Sequence, residues 1–419
     1  MLSRRLFGLA SAASLALPAS LRAQEAMGSR ALFLNAHLYL PHYLDLIAAA
    51  ETGQAPDSQD LAEFAAFLGD EARATSMKPS GFEIPDELVL TAEPAIACIV
   101  ERARDKRVVI LNEHHGISRH RSFAAQVLRA LRPLGFDIFA AETFVGKPNK
   151  DTPHPVESLR HGMAFLPVHG YYSRDPVYAE TAREALELGY RLAAYELTQD
   201  QRRLPRDATS AQRIEEREHA QARNLIDNVL IPNPDSKVVV LCGHSHVAEE
   251  PIDETEWFAA RLKRYSGIDP LTIEQSSNYP AHDPDNDPPL TKAVLERLKP
   301  DQPVCVFEPS GVAFTASSYS RRVDLAVYHP RKPLVDGRPE WWINDPERRP
   351  APVNFSPSAD LSLIQAIRIT EGMGAVPSDH VLIPPNGTKA TLSLRPGTYV
   401  IRRETLSGWQ IIGSLEVAE

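Results

Sequence analysis

The chain reads as an α/β protein, with a mainly parallel sheet flanked by helices and a small C-terminal β module. Three observations predict this. Between residues 106 and 328, short β-branched runs alternate with longer stretches of helical periodicity, the pattern of a doubly wound sheet. Gly135, Gly189 and Gly267 each follow a helical stretch, where a residue with positive φ closes the last turn. Beyond residue 330 prolines crowd together, and the runs become short strands joined by Pro-Gly and Ser-Gly turns.

The elements follow in order. Residues 1–23 have a basic start, a short apolar middle and a small-residue end, the composition of an export leader. Within it Ser3-Arg4-Arg5-Leu6-Phe7 resembles the twin-arginine signal, which implies a periplasmic or secreted chain that crosses already folded. The apolar run is shorter than the ~20 residues a bilayer span requires, and no later segment qualifies, so no membrane span is expected in the mature chain. Residues 29–105 read as helices leading into the α/β domain, which extends to residue 329. Strands are predicted at 108–111, 138–141, 192–195, 238–242, 271–273 and 304–307, with 324–328 as an edge. Helices are predicted at 122–131, 177–188, 213–229 and 254–265. Residues 330–353 read as a proline-rich linker, because proline suits neither a helix interior nor a central strand. Residues 354–419 form the β module, with strands at 389–394, 399–403 and 409–415.

Composition narrows the function. The formal charge is −10 over 419 residues, and loss of the leader arginines Arg4, Arg5 and Arg22 makes the mature chain more acidic still. No basic stripe remains to hold a polyanion, so nucleic acid is excluded as a partner and a small molecule or peptide is expected. Cys98, Cys242 and Cys305 allow one disulfide at most. Cys242 and Cys305 sit in apolar runs, where a thiol packs as a small hydrophobe.

Ligands of open α/β sheets bind beyond the carboxyl ends of the strands, so those ends carry the chemistry. Glu113 follows the first strand, Glu142 ends the second, Glu196 the third, Glu274 the fifth and Glu308 the sixth, while the fourth runs into Gly243-His244-Ser245-His246. Glu274 and Glu308 stay outside the core set. A carboxylate and an imidazole held together share a proton, or jointly bind a divalent metal. Catalysis is assigned to Glu113, His115, Glu142 and His246, metal ligation to Glu113, His115, His244 and His246, and outer support to Glu196, Arg119 and Arg121. Plainer roles are also open: His114 as a helix cap, and the glutamates as loop acids paired with Arg119, Arg121 or Arg191. Arg119 and Arg121 begin a helix, where the dipole disfavours a cation, so a ligand anion is one reason for their presence.

Asn112-Glu113-His114-His115, Ala141-Glu142, Ala194-Tyr195-Glu196 and Cys242-Gly243-His244-Ser245-His246 together resemble the superfamily of erythromycin-esterase-like hydrolases, ChaN-like haem-binding proteins and Tiki/TraB-type proteins. Gly243 and His246 match that group's second Gly-x-x-His loop. In the first loop Asn112 replaces the glycine, while Glu113 and His115 keep their places. The resemblance implies one of two functions. One is a periplasmic ester or peptide hydrolase, in which His115 or a metal-bound water is the base. The other is a haem or small-molecule binder, with His115, His246 or a tyrosine from Tyr171 and Tyr172 on the iron.

Overall fold

The computed structural model describes residues 58–76, 89–146 and 155–419, together with Leu44. The expected leader lies outside the described residues. Two short helices come first, α1 (Ser58–Phe67) and α2 (Glu71–Ala74), followed by strand β1 (Thr91–Pro94) and helix α3 (Ala95–Ala103). The alternating core is β2 (Val108–Glu113), α4 (Ser118–Leu131), β3 (Phe136–Ala141), α5 (Pro176–Glu187), β4 (Arg191–Ala194), α6 (Ser210–Leu225), β5 (Lys237–Gly243), α7 (Phe258–Ser266) and β6 (Leu271–Glu274). Helix α8 (Pro289–Leu298), β7 (Val304–Phe307) and β8 (Leu325–Tyr328) complete it.

These strands form one eight-stranded sheet in the order β1-β7-β8-β6-β2-β5-β3-β4. Strands β8, β6, β2, β5, β3 and β4 are parallel; at one side β7 pairs antiparallel with both β8 and β1. The sequence-derived α/β class therefore holds. Residues of β2 and β5 are buried on both faces, as a sheet covered by helices on each side requires, which is why those runs are uninterrupted Val, Ile and Leu. Gly135, Gly189 and Gly267 take positive φ as expected.

Two strand expectations are corrected. Residues 324–328 were expected at an edge, yet β8 is internal, between β6 and β7, and all four of its residues are buried. The edge on that side is β1, which the sequence pattern conceals because its four residues are exposed and it ends in Pro94.

The strand order reverses around β2. Its two neighbours are β5 and β6, so the connections diverge there, the position at which ligands of such sheets bind.

The proline-rich stretch is folded against the body, not a free linker. It contains a small hairpin, β9 (Leu334–Val335) and β10 (Arg338–Pro339), helix α9 (Glu340–Ile343) and strand β11 (Arg349–Asn354). The β module thus starts at Arg349, earlier than residue 354. Pro350 and Pro352 are accommodated because β11 pairs on one side only, with β14 (Lys389–Leu394). Strands β12 (Ser362–Arg368), β13 (Asp379–Ile383), β15 (Gly397–Thr405) and β16 (Gly408–Val417) form the adjoining antiparallel sheet, ordered β13-β12-β15-β16. Buried charge joins this module to α5. The Glu180 carboxylate accepts hydrogen bonds from Arg183, Arg348 and Arg368 at 3.0, 3.4 and 3.0 Å.

Candidate active site

The site is built from the carboxyl end of β2 outward. Glu113, the last residue of β2, is buried, and its carboxylate is fixed from both sides. Arg121, one turn into α4, donates from Nε to Oε2 at 2.8 Å and from Nη2 to Oε1 at 3.1 Å. Arg121 also donates to the His115 carbonyl at 2.6 Å and to Asp175 at 2.7 Å. Asp175 itself caps α5 through the Val177 amide. Burial opposes ionisation of Glu113, but Arg121 and His115 outweigh it and hold the carboxyl below its ordinary range.

His115 Nδ1 lies 3.0 Å from Glu113 Oε1, and its ring is stacked on Tyr172 with centroids 3.8 Å apart. An ionised carboxylate can only accept, so Nδ1 carries the proton and Nε2 presents its lone pair. That edge faces Gly243 at the end of β5. A Cβ on Gly243 would stand 2.5 Å from His115 Nε2 and 3.1 Å from Glu142 Oε2, so glycine here leaves room for both groups.

Glu142, just past β3, occupies the middle. Its Oε2 accepts the Gly243 amide at 2.5 Å, and its Oε1 accepts from Arg217 of α6. Burial works against its charge, yet Arg217, His246 and His115 hold its carboxyl well below the usual range. Arg217 also binds Glu196 through Nε at 3.1 Å and Nη2 at 2.5 Å. Arg217 and Glu196 are the partly exposed members, so the cluster meets solvent there.

His246 is held by Glu218, also of α6, with Nδ1 2.8 Å from Oε2. Its Nε2 lies 3.8 Å from Glu142 Oε1 and 3.2 Å from Arg217 Nη1. Burial lowers the affinity of this ring for a proton, but Glu218 and Glu142 more than compensate and raise its pKa above the ordinary value. His244, between them in sequence, has φ +35, and its buried Nε2 has no hydrogen-bond partner. Burial, with His115 and His114 nearby, pushes its pKa down to about 3. A strained backbone beside an unsatisfied polar atom is a common feature of functional loops.

The structure thus brings Glu113, His115, Glu142, His244 and His246 together, with Arg121 and Glu196 as their supports. Arg119 is not among them: its guanidinium turns away and donates to the Pro330 carbonyl. His114 does not cap the helix: its Nδ1 accepts the Gly116 amide at 3.1 Å, within the loop before it, and the N-cap position is Ile117, with no side-chain cap bond. Asn112 is a brace whose side-chain oxygen accepts the Gln275 amide and whose nitrogen donates to the His244 carbonyl. Glu274, buried, accepts from Ser276, Ser277 and Asn278 and stays apart, and Glu308 is exposed.

The sequence reading missed Arg217 and Glu218. Their signal is the polar face of α6, where Arg217, Gln221 and Asn224 recur at helical spacing and all bond Glu196. Polar residues in that rhythm beside Ala220, Ala222 and Leu225 indicate a helix that buries polar atoms.

The metal assignment does not fit this arrangement. Among the described residues no three His, Cys, Asp or Glu side chains are grouped to hold an ion. The physical reason is that Glu113 is committed to Arg121 and His115, Glu142 to Gly243 and Arg217, and His246 Nδ1 to Glu218. The Arg217 cation already pairs with Glu142 and Glu196.

No protein-family model and no curated protein matches this chain. Solved structures give partial likenesses. The type III effector HopBA1 is 14% identical with a TM-score of 0.29, over 46% of this chain and 89% of its own. A structure described as bacterial protein toxins is 13% identical with a TM-score of 0.31, over 56% and 46%. RRSP, a MARTX toxin effector domain from Vibrio vulnificus CMCP6, is 18% identical with a TM-score of 0.28, over 51% and 43%. This chain therefore spans less than half of the last two. Among the described residues no helix is long and apolar enough to cross a membrane.

Proposed function

We propose that this chain is a hydrolase of ester or peptide bonds that acts after export to the periplasm, with His115 as general base and His246 as general acid. The observation that carries the reading is the Glu113 contact with His115 Nδ1 at 3.0 Å, itself locked by Arg121, which leaves Nε2 free to take a proton. A water set against Nε2 would lose its proton to His115 as it attacks a carbonyl. His246, whose proton affinity is raised by Glu218 and Glu142, would supply a proton to the leaving group. Glu142 places negative charge near both imidazoles, and Arg217, paired with it, would place positive charge beside the oxyanion that develops. The leader-like residues 1–23 support an exported location, and the donor set favours acid–base chemistry over a bound metal ion.

The test is turnover of chromogenic esters and fluorogenic peptides by the purified chain. The intact protein should hydrolyse members of one class, and His115→Ala should be slower by roughly 10²–10⁴-fold, the usual share of a general base. Equal rates in the two proteins would refute the assignment.

A further inference from the structure

Arg119 is the charged group the cluster leaves unexplained. It is the second residue of α4 and is 8% exposed, with a hydrogen bond to the Pro330 carbonyl. Glu71 and Glu340 act on it only through space, and burial pushes its pKa down to about 10, so it remains a cation at neutral pH without an ion-pair partner among the described residues. A desolvated guanidinium of this kind is costly unless something completes it.

Space lies on both sides of it. One cavity, about 470 Å³, is lined by Arg119, Tyr279, Lys332 and Trp341; another, about 210 Å³, shares Arg119, Lys332 and Trp341 and reaches His329. Two further polar groups of buried residues border this space. The Tyr279 hydroxyl, in a side chain only 7% exposed, makes no hydrogen bond to a described residue, and His329 Nδ1 is likewise unpaired. The larger volume is in the range of small-molecule pockets. Its remaining wall is mixed: Ile117, Pro280 and Pro333 lie beside the Trp341 ring, and Glu71, His282 and Arg331 add polar groups.

We propose that this cavity is a binding site, separate from the His/Glu cluster, for a small monocarboxylate with an apolar body. The planar fork of Arg119 matches a carboxylate through two parallel hydrogen bonds, the Tyr279 hydroxyl on the wall of the same cavity offers a further donor, and Trp341 with the prolines covers the body. The charge count favours a single negative charge. Arg119, Lys332 and Arg331 line the two cavities together with Glu71 and Glu340, and Arg331 is already paired with Asp287, so a dianion such as a phosphate monoester would meet acidic groups.

Calorimetric titration of the full chain with benzoate, benzamide and phenyl phosphate tests this without any turnover. Benzoate should bind one per chain, with benzamide and phenyl phosphate at least ~10-fold weaker, a difference of about 1.4 kcal/mol. Arg119→Gln should lose ~10-fold or more, and Tyr279→Phe, which removes one hydroxyl and keeps the packing, about 3-fold. Benzamide or phenyl phosphate binding as well as benzoate, no benzoate binding by the intact chain in the millimolar range, or full affinity in Tyr279→Phe would each overturn the proposal. That last variant keeps the test decisive should Arg119→Gln fail to fold.

Discussion

Arg121 grips both carboxylate oxygens of Glu113, through Nε at 2.8 Å and Nη2 at 3.1 Å, with neither side chain more than marginally exposed to water. Removing the cation leaves Glu113 and Asp175 as buried charges with no counter-ion. Arg121→Ala should therefore cost roughly 3–5 kcal/mol, far more than an exposed pair would. Urea denaturation should show a lower midpoint with an unchanged slope; a midpoint equal to wild type would mean that water or another cation takes over.

Gly243→Ala adds one methyl group, yet it falls 2.5 Å from His115 Nε2 and Cε1. His115 cannot yield easily, because Glu113 holds one edge and Tyr172 covers a face. We expect a fold cost of about 1–3 kcal/mol from overpacking, and a fall in hydrolytic rate beyond what that cost explains. Retention of full activity would place the reacting atoms elsewhere.

Stability should depend on pH through the buried imidazoles. Unfolded, they take up protons near pH 6.5, whereas burial and neighbouring rings hold folded His114 at about 4 and His244 at about 3, with His120 and His329 also lowered. Between those values the unfolded chain binds more protons, so this contribution is full above pH 6.5 and is lost as pH falls. His246 acts in the opposite sense: its pKa is raised, so its contribution is present below pH 6.5 and fades as pH climbs past the folded value. Denaturation midpoints at pH 4.5–6.5 should rise with pH, and His244→Asn should flatten that rise; an unaltered slope would show that His244 is not held neutral.

The strands of the core were legible because burial on both faces forces continuous apolar runs, as in Val108, Val109, Ile110 and Leu111, and their ends were legible because polar residues begin there. The convergence of Glu113, Glu142 and His246 followed from that register alone. What escaped was set by tertiary contact. Arg217 and Glu218 lie on a helix whose sequence reads as a solvated surface until Glu196 and His246 are placed against it. Arg119 and Arg121 are two residues apart, yet helical geometry turns one to Pro330 and the other to Glu113.

Glu180 serves three arginines from two parts of the chain, and their charges hold its carboxyl well below the ordinary range despite burial. Glu180→Ala should destabilise by roughly 3–5 kcal/mol, and removal of residues 349–419 should abolish cooperative unfolding of the remainder. A single sharp calorimetric transition in the truncated protein would show that the α/β part stands alone.

The prolines of β11 have a consequence for the protein at high concentration. Pro350 and Pro352 lack an N–H at alternate positions along an outer strand, so that margin offers no continuous donor ladder to a neighbouring molecule. An edge that cannot template its own extension is protected against fibrillar stacking, and here that protection is written into the backbone.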